Sequence, residues 1–285
     1  MNNKLAVLID GSGLVYRAYY ALPQLTNNNG EYVGAVYGFC SILMSLMEKH
    51  KSDLFCIVFD AGRHTFRTEM YPAYKSNRDE TPENLKTQFP RLKKACVAFG
   101  IPSIEKKGFE ADDIIATYAN KLASSAYEVR IVSSDKDLMQ LINDKISLFD
   151  PIKSKSIKTQ EVIEKYGVLP SQMTMLQALI GDPSDNIPGI SGIGPKTAAK
   201  LINEFRTLEE IYQNIDKIKQ SKVKENLINQ KNQLDLSLKL VTLEKNIDID
   251  EDFYKLKISF DYNQAVEFLN SYNFDSLIRR LNVLY

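Results

Sequence analysis

Short apolar runs alternate with helical-period segments over the first half of the chain. LAVLI (5–9), FCIVF (55–59) and EVRIVSS (128–134) have the length and branched or aromatic content of buried strands. Between and after them, GAVYGFCSILMSLMEKH (34–50) and ADDIIATYANKLASSA (111–126) carry apolar residues at helical spacing, and DLMQLI (137–142) follows the third strand. Strand and helix alternating at this interval predict βαβ units and a parallel sheet. Residues 60–100 break the rhythm. They hold Pro72, Pro82 and Pro90, many charges and no strand pattern, so they predict a partly helical excursion off the sheet edge. From about residue 160 the pattern turns helical, through EVIEKYG, SQMTMLQALIG, TAAKLINEF and LEEIYQNI, and then enters a Lys/Asn/Gln-rich stretch at 214–234.

Composition narrows the function classes. The chain has 285 residues, 44% hydrophobic and 25% charged, with 36 basic and 36 acidic side chains. Zero net charge does not exclude a polyanionic partner, because the two signs segregate over a surface. Three isolated cysteines in apolar segments, Cys40, Cys56 and Cys96, predict buried thiols in a reducing compartment. With His50 and His64 the only histidines, a Cys/His zinc site and a Ser-His-Asp triad are disfavoured. The start of the chain lacks the features of a signal peptide, and no apolar run nears the roughly 20 residues that span a bilayer. These features predict a cytoplasmic protein without a membrane partner.

Acidic residues sit at the ends of the predicted strands. The first gives Asp10, the second Asp60, the third Asp135 with Asp137 two residues on. Ligands of open α/β sheets bind beyond the carboxyl ends of parallel strands, so these acids should gather at one edge. GFEADDII (108–115) begins a helix at that edge with Glu110, Asp112 and Asp113, and GDPSDN (181–186) adds Asp182 and Asp185. A helix N-terminus suits one or two acids. Nine together require cations. Mg²⁺ and Mn²⁺ prefer oxygen ligands, and two such ions about 3.5–4 Å apart recur in phosphodiester chemistry.

Two further motifs suit a phosphate backbone. In GISGIGPKTAAKLI (189–202) a glycine turn precedes a helix starting at Pro195. Gly192, Ile193 and Gly194 allow close backbone approach, and Lys196 and Thr197 add a charge and a hydroxyl, a phosphate seat without base readout. In YPAYKSNR (71–78), Lys75 and Arg78 suit stabilisation of a transferring phosphoryl group, and Tyr74 suits stacking on a base. Arg17, Arg63 and Arg67 lie near Asp10 or Asp60 in sequence as further phosphate contacts. RLKK (91–94), KSKSIK (153–158) and KIKQSKVK (217–224) read as solvated surface or as a duplex track.

Taken in order, LIDGSGLVYRAYYALP, GAVYGF, VFDAGRHTFR, YKSNR, GFEADDIIATYA, IVSSDKDLMQL, GDPSDNIPGISGIGPKTAAKLI and FDSLIRRL resemble the 5′-nuclease domain of bacterial DNA polymerase I, in the flap endonuclease family. The resemblance covers essentially the whole chain. It implies an α/β fold: a PIN-like nuclease core over 1–165, with a helical arch over about 66–100, and a helical DNA-binding region with a helix-hairpin-helix over 166–285. It implies Mg²⁺-dependent, two-metal cleavage of DNA at 5′ ends and 5′ flaps, in removal of RNA primers and flaps during replication and repair. The family's metal acids fall on Asp10, Asp60, Glu110, Asp112, Asp113, Asp135, Asp137, Asp182 and Asp185. Of these, Asp60 and Asp113 are expected to act in catalysis beside the arch residues Lys75 and Arg78. The resemblance also implies a potassium ion at the hairpin, a monomer, and relatives in which polymerase domains continue the chain. Departures are Gly62, where a basic residue is common, and Asp79 and Glu80, where prolines are frequent. A non-catalytic DNA-binding module of the same fold is the alternative; it predicts missing acids, and none is missing.

Overall fold

The computed structural model describes residues 4–22, 24–250 and 252–284. Its centre is one six-stranded sheet: β1 (Lys4–Asp10), β2 (Leu54–Val58), β3 (Ser103–Ile104), β4 (Tyr127–Val132), β5 (Ile146–Asp150) and β6 (Lys155–Ile157). The spatial order is β3-β2-β1-β4-β5-β6, parallel throughout except for β6, which pairs antiparallel with β5. The chain therefore winds one way from β1 and then the other way from β4. The switch point falls between these two strands, where such sheets leave a crevice at their carboxyl ends.

Alternation along the strands divides the core in two. Val7, Ile9, Phe55, Ile57, Val132 and Phe149 face one side. There they meet α1 (Gly11–Ala21), α2 (Gly34–Lys49) and α5 (Phe89–Ala98). Ala6, Leu8, Leu54, Cys56, Val129 and Ile131 face the other, against α6 (Ala111–Ser124) and the helical second half of the chain. All three cysteines are buried thiols.

The second half runs through α7 (Thr159–Tyr166), α8 (Met173–Ile180), α9 (Pro195–Phe205), α10 (Leu208–Gln213), α11 (Ser221–Asn229) and α12 (Lys231–Val241). The last helices, α13 (Tyr262–Ser271) and α14 (Asp275–Leu284), leave this group and return to the first face, where Ala265, Leu269, Leu277 and Leu281 join its core. Gly100 makes the return possible. Its φ of +62° is left-handed, and a Cβ there would lie 1.9 Å from the Ser259 carbonyl oxygen. Among the described residues, no helix is long and apolar enough to cross a membrane.

The excursion at 60–100 is partly helical, with α3 (Phe66–Met70), turns over 71–78, α4 (Glu83–Lys86) and then α5. It is anchored by Arg67, which is 1% exposed. Its Nε donates to the Leu240 carbonyl at 2.7 Å, and Nη2 donates to that of Thr242 at 2.9 Å. Nη1 and Nη2 also form a two-pronged pair with Asp113 at 2.6 and 2.7 Å. Asp113, fully buried, accepts in addition from the backbone N–H groups of Glu244 and Glu110. Both partners are thus saturated.

This placement corrects the expectation for two residues. Arg67 is not presented to a phosphate, and Asp113 has no oxygen lone pair left for a metal or for catalysis. Together they tie α3, the start of α6 and the segment after α12.

Removing one member leaves the other as a buried unpaired charge. Arg67→Met or Asp113→Leu should therefore each lower unfolding stability by about 3–5 kcal/mol, and the double variant by clearly less than the sum. Urea denaturation of the three variants checks this; simple additivity would contradict the pairing.

Candidate metal and nucleic-acid site

Seven acids converge at the carboxyl edge of the sheet. Asp10 ends β1 and caps α1, accepting from the Gly13 N–H at 2.8 Å and the Ser133 hydroxyl at 3.0 Å. Asp60, just past β2, accepts from the Ala111 N–H at the start of α6 at 2.8 Å. Asp135 follows β4 and accepts from the Asp137 N–H at 2.9 Å. Asp112 projects from the first turn of α6 into the same region. Burial, with the charges of Asp135 and Asp10, pushes its carboxyl well above the usual range. Burial also raises Asp10, to about 6, with Asp60 and Asp135 adding repulsion against the relief from Gly13 and Ser133.

The other cluster is tighter. Asp137, Asp182 and Asp185 each bring an oxygen within 4.8 Å of the other two, a donor set fit for a hard divalent cation. Burial and the charges of Asp135 and Asp185 raise Asp137 to about 7, although Gln177 donates to it at 2.5 Å. The loop carrying Asp182 and Asp185 turns sharply at Gly181, where φ is +72° and a Cβ would meet the Gly189 nitrogen at 2.3 Å. Asp182 accepts from the Ser184 N–H at 3.0 Å and hydroxyl at 2.7 Å. Burial works against its charge, but Lys136 at 2.8 Å and Ser184 prevail, and its carboxyl lies below the usual range.

The basic residues of the excursion reach into this cluster. Lys75 Nζ lies 2.5 Å from Glu110 and 3.7 Å from Asp185. Arg78 pairs with Asp185. Lys75 stands at a left-handed φ of 54°, and its N–H donates to the Asp185 carbonyl at 2.9 Å. Asn77 bonds the Pro183 carbonyl and Asn186 that of Ala73, each at 2.7 Å. The excursion is therefore pinned to the acidic loop by main chain and side chain together.

Tyr74 departs from its expected stacking role: it is 5% exposed, and its hydroxyl donates to Glu110 at 3.0 Å. Arg17 is half-buried on α1, with Nη1 buried and without a hydrogen-bond partner. A cleft of about 900 Å³ opens between α1 and the excursion, lined by Asp60, Arg63, Lys75, Arg78 and Glu110.

The glycine turn stands between α8 and α9. Gly192 (φ +75°) and Gly194 are exposed, Ile193 is buried, and Pro195 opens α9 with Lys196 exposed and Thr197 half-exposed. It is tethered by residues of the Lys/Asn/Gln-rich stretch and by Ser237 on α12. Asn226 donates to the Ser191 carbonyl at 2.6 Å, Gln230 accepts from the Ser191 N–H at 3.0 Å, and Gln233 donates to the Gly189 carbonyl at 2.5 Å. The Ser237 hydroxyl donates to the Pro188 carbonyl. The steps of four, three and four run from α11 across the break at Gln230 into α12, and that spacing is the signal in the sequence. Lys136 and Gln177 were likewise missed; Lys136 stood in view between Asp135 and Asp137.

Comparison with known proteins matches the chain in two consecutive segments. Residues 5–167 match the 5′-3′ exonuclease N-terminal resolvase-like domain, and residues 168–263 match the 5′-3′ exonuclease C-terminal SAM fold. The 5′-3′ exonuclease of Aquifex aeolicus is 36% identical over 283 residues, covering 99% of this chain and 96% of the relative. DNA polymerase I of Rhizobium leguminosarum is 42% identical over 96% of this chain, which spans only 28% of that protein's length. For DNA polymerase I of Bacillus subtilis the identity is 39%, and the chain spans 32% of its length. Among solved structures, T5 5′-exonuclease with bound zinc superposes with a TM-score of 0.70 at 26% identity, covering 96% of this chain and 98% of that one. With both halves matched and one relative aligned almost end to end, the chain belongs to the 5′-3′ exonuclease family.

Proposed function

We propose that this protein hydrolyses DNA phosphodiester bonds from a 5′ end or at a 5′ flap junction, using two Mg²⁺ ions, with Mn²⁺ as a substitute. The observation that carries this reading is the convergence of two acid clusters on one sheet edge, beside a cleft lined by Lys75 and Arg78. Asp10, Asp60, Asp112 and Asp135 suit one ion, and Asp137, Asp182 and Asp185 the other, with Glu110 a further ligand once Lys75 leaves it. Burial and mutual repulsion raise Asp10, Asp112 and Asp137, which marks donors that a cation would relieve. Bound divalent ions would lower the pKa of an attacking water and stabilise the leaving 3′ oxygen.

The protein's own groups do the rest. Lys75 and Arg78 neutralise the scissile phosphate. The Gly192–Gly194 turn and the first turn of α9 seat a backbone phosphate of the duplex, with Lys196 and Thr197 beside it. The fixed span between turn and acids sets where the strand is cut, and the product carries a 5′-phosphate. The T5 flap endonuclease, solved with DNA and metal ions, is 25% identical and superposes with a TM-score of 0.70, which supports the DNA substrate. Removal of primers and flaps in replication and repair follows from that substrate class.

Cleavage of a labelled 5′-flap duplex in Mg²⁺, with EDTA as control, tests the reading. Asp112→Asn should reduce kcat by at least about 100-fold, and Lys75→Met by about 100- to 1,000-fold, while duplex binding persists. Duplex binding without any metal-dependent cutting by the unmodified protein would favour a non-catalytic module.

The raised carboxyls also set a pH dependence. With folded values of about 6 for Asp10 and about 7 for Asp137, the folded protein in EDTA holds protons that the unfolded chain releases near 4. These groups therefore cost stability progressively as pH rises from about 4 to 7, and Mg²⁺ removes that cost by replacing the protons. The rise in Tm produced by Mg²⁺ should grow from pH 5 to pH 8, and Asp137→Asn should flatten it. Thermal melts across that range, with and without Mg²⁺, provide the check.

A further inference from the structure

Lys75 and Arg78 have two claims on them. In the reading above they neutralise the scissile phosphate. In the structure they are engaged by metal-site carboxylates: Lys75 by Glu110 at 2.5 Å and Asp185 at 3.7 Å, Arg78 by Asp185. Lys136 engages Asp182 in the same way, at 2.8 Å. A carboxylate oxygen at hydrogen-bond distance from an ammonium or guanidinium cannot also lie at bonding distance from a divalent ion without driving the two cations together.

We propose that Lys75 and Arg78 compete with divalent metal for Glu110 and Asp185, and that the DNA phosphate resolves the competition by drawing the two side chains away. The exchange is a side-chain event. The backbone around them stays tied to the 181–187 loop through the Lys75 N–H, Asn77 and Asn186. Linkage then requires the effect to be mutual: DNA tightens metal binding, and metal tightens DNA binding by releasing Lys75 and Arg78 to it. The device favours assembly of the full catalytic set when both metal and a correctly placed phosphate are present.

The proposal rests on the metal-site assignment, and its test separates the two. Ca²⁺ and Mn²⁺ binding to the full chain is measured by calorimetry without DNA, for the unmodified protein and for Lys75→Met, Arg78→Met and Lys94→Met. Lys94 is an exposed lysine on α5 and controls for net charge. Competition predicts that each of the first two variants binds metal about tenfold more tightly than the unmodified protein, with Lys94→Met nearly unchanged. Addition of a 5′-flap duplex should then tighten metal binding by the unmodified protein more than by the variants. Arg78 is half-exposed, so its variant keeps the test valid should Lys75→Met fold poorly. Unchanged or weaker metal binding in Arg78→Met, or equal tightening in Lys94→Met, would overturn the proposal while leaving the metal site standing. No saturable binding by the unmodified protein would overturn both.

Discussion

Compensation of negative charge at the carboxyl edge of the sheet is the constraint around which the rest is arranged. Buried carboxylates brought this close must be protonated, paired with a cation, or hydrogen-bonded. The molecule uses all three. Asp113 is paired with Arg67, Glu110 with Lys75, Asp185 with Arg78 and Asp182 with Lys136. Asp10, Asp112 and Asp137 are instead pushed toward the protonated form, chiefly by burial. The acids without a resident cation are therefore the ones best prepared to receive a divalent ion.

The fold makes this cluster unavoidable. Reversal of winding between β1 and β4 puts Asp10 and Asp135 beside one another, and β2 delivers Asp60 next to them. The helix that feeds β4 begins at the same edge, so its first turn contributes Glu110, Asp112 and Asp113 whatever their roles. Local hydrogen bonds then fix the carboxylates before any ligand arrives, through Gly13, Ser133, Ala111 and Gln177. Such orientation by neighbouring groups is what lets a metal bind without first ordering its ligands.

Much of this was legible in the sequence, for reasons that also explain what was not. Strand periodicity and the terminal positions of Asp10, Asp60 and Asp135 are local patterns, and local patterns survive translation into structure. The Gly-Ile-Gly turn before Pro195 is of the same kind. What escaped were contacts set by distant partners. Arg67 looked like a phosphate ligand because it lies near Asp60 in the chain, but its acceptors include the Leu240 carbonyl, 173 residues away. Asp113 was indistinguishable in sequence from Asp112; helix rotation alone turns one into the core and the other toward Asp10 and Asp135. Tyr74 reads in sequence as a residue for stacking on a base, but its ring lies in the core and its hydroxyl donates to Glu110.

The buttress behind the hairpin follows from the same physics. A glycine turn that lets backbone approach a phosphate is flexible by composition, since glycine carries the largest conformational entropy in the unfolded chain. Binding a phosphate there would have to offset that entropy at each encounter. Asn226, Gln230, Gln233 and Ser237 remove the cost in advance by tethering residues 188, 189 and 191 to α11, the α11–α12 junction and α12. Those helices also lead into the segment that Arg67 grips at Leu240 and Thr242. One continuous set of bonds therefore runs from the hairpin, through α12 and Arg67, to Asp113 at the head of the acid-bearing helix. The distance between the glycine turn and the acids is held by covalent helix, hydrogen bonds and a saturated ion pair. Under the function proposed above, such a ruler would supply the one kind of information available to a protein that reads no bases, the distance from one phosphate to another.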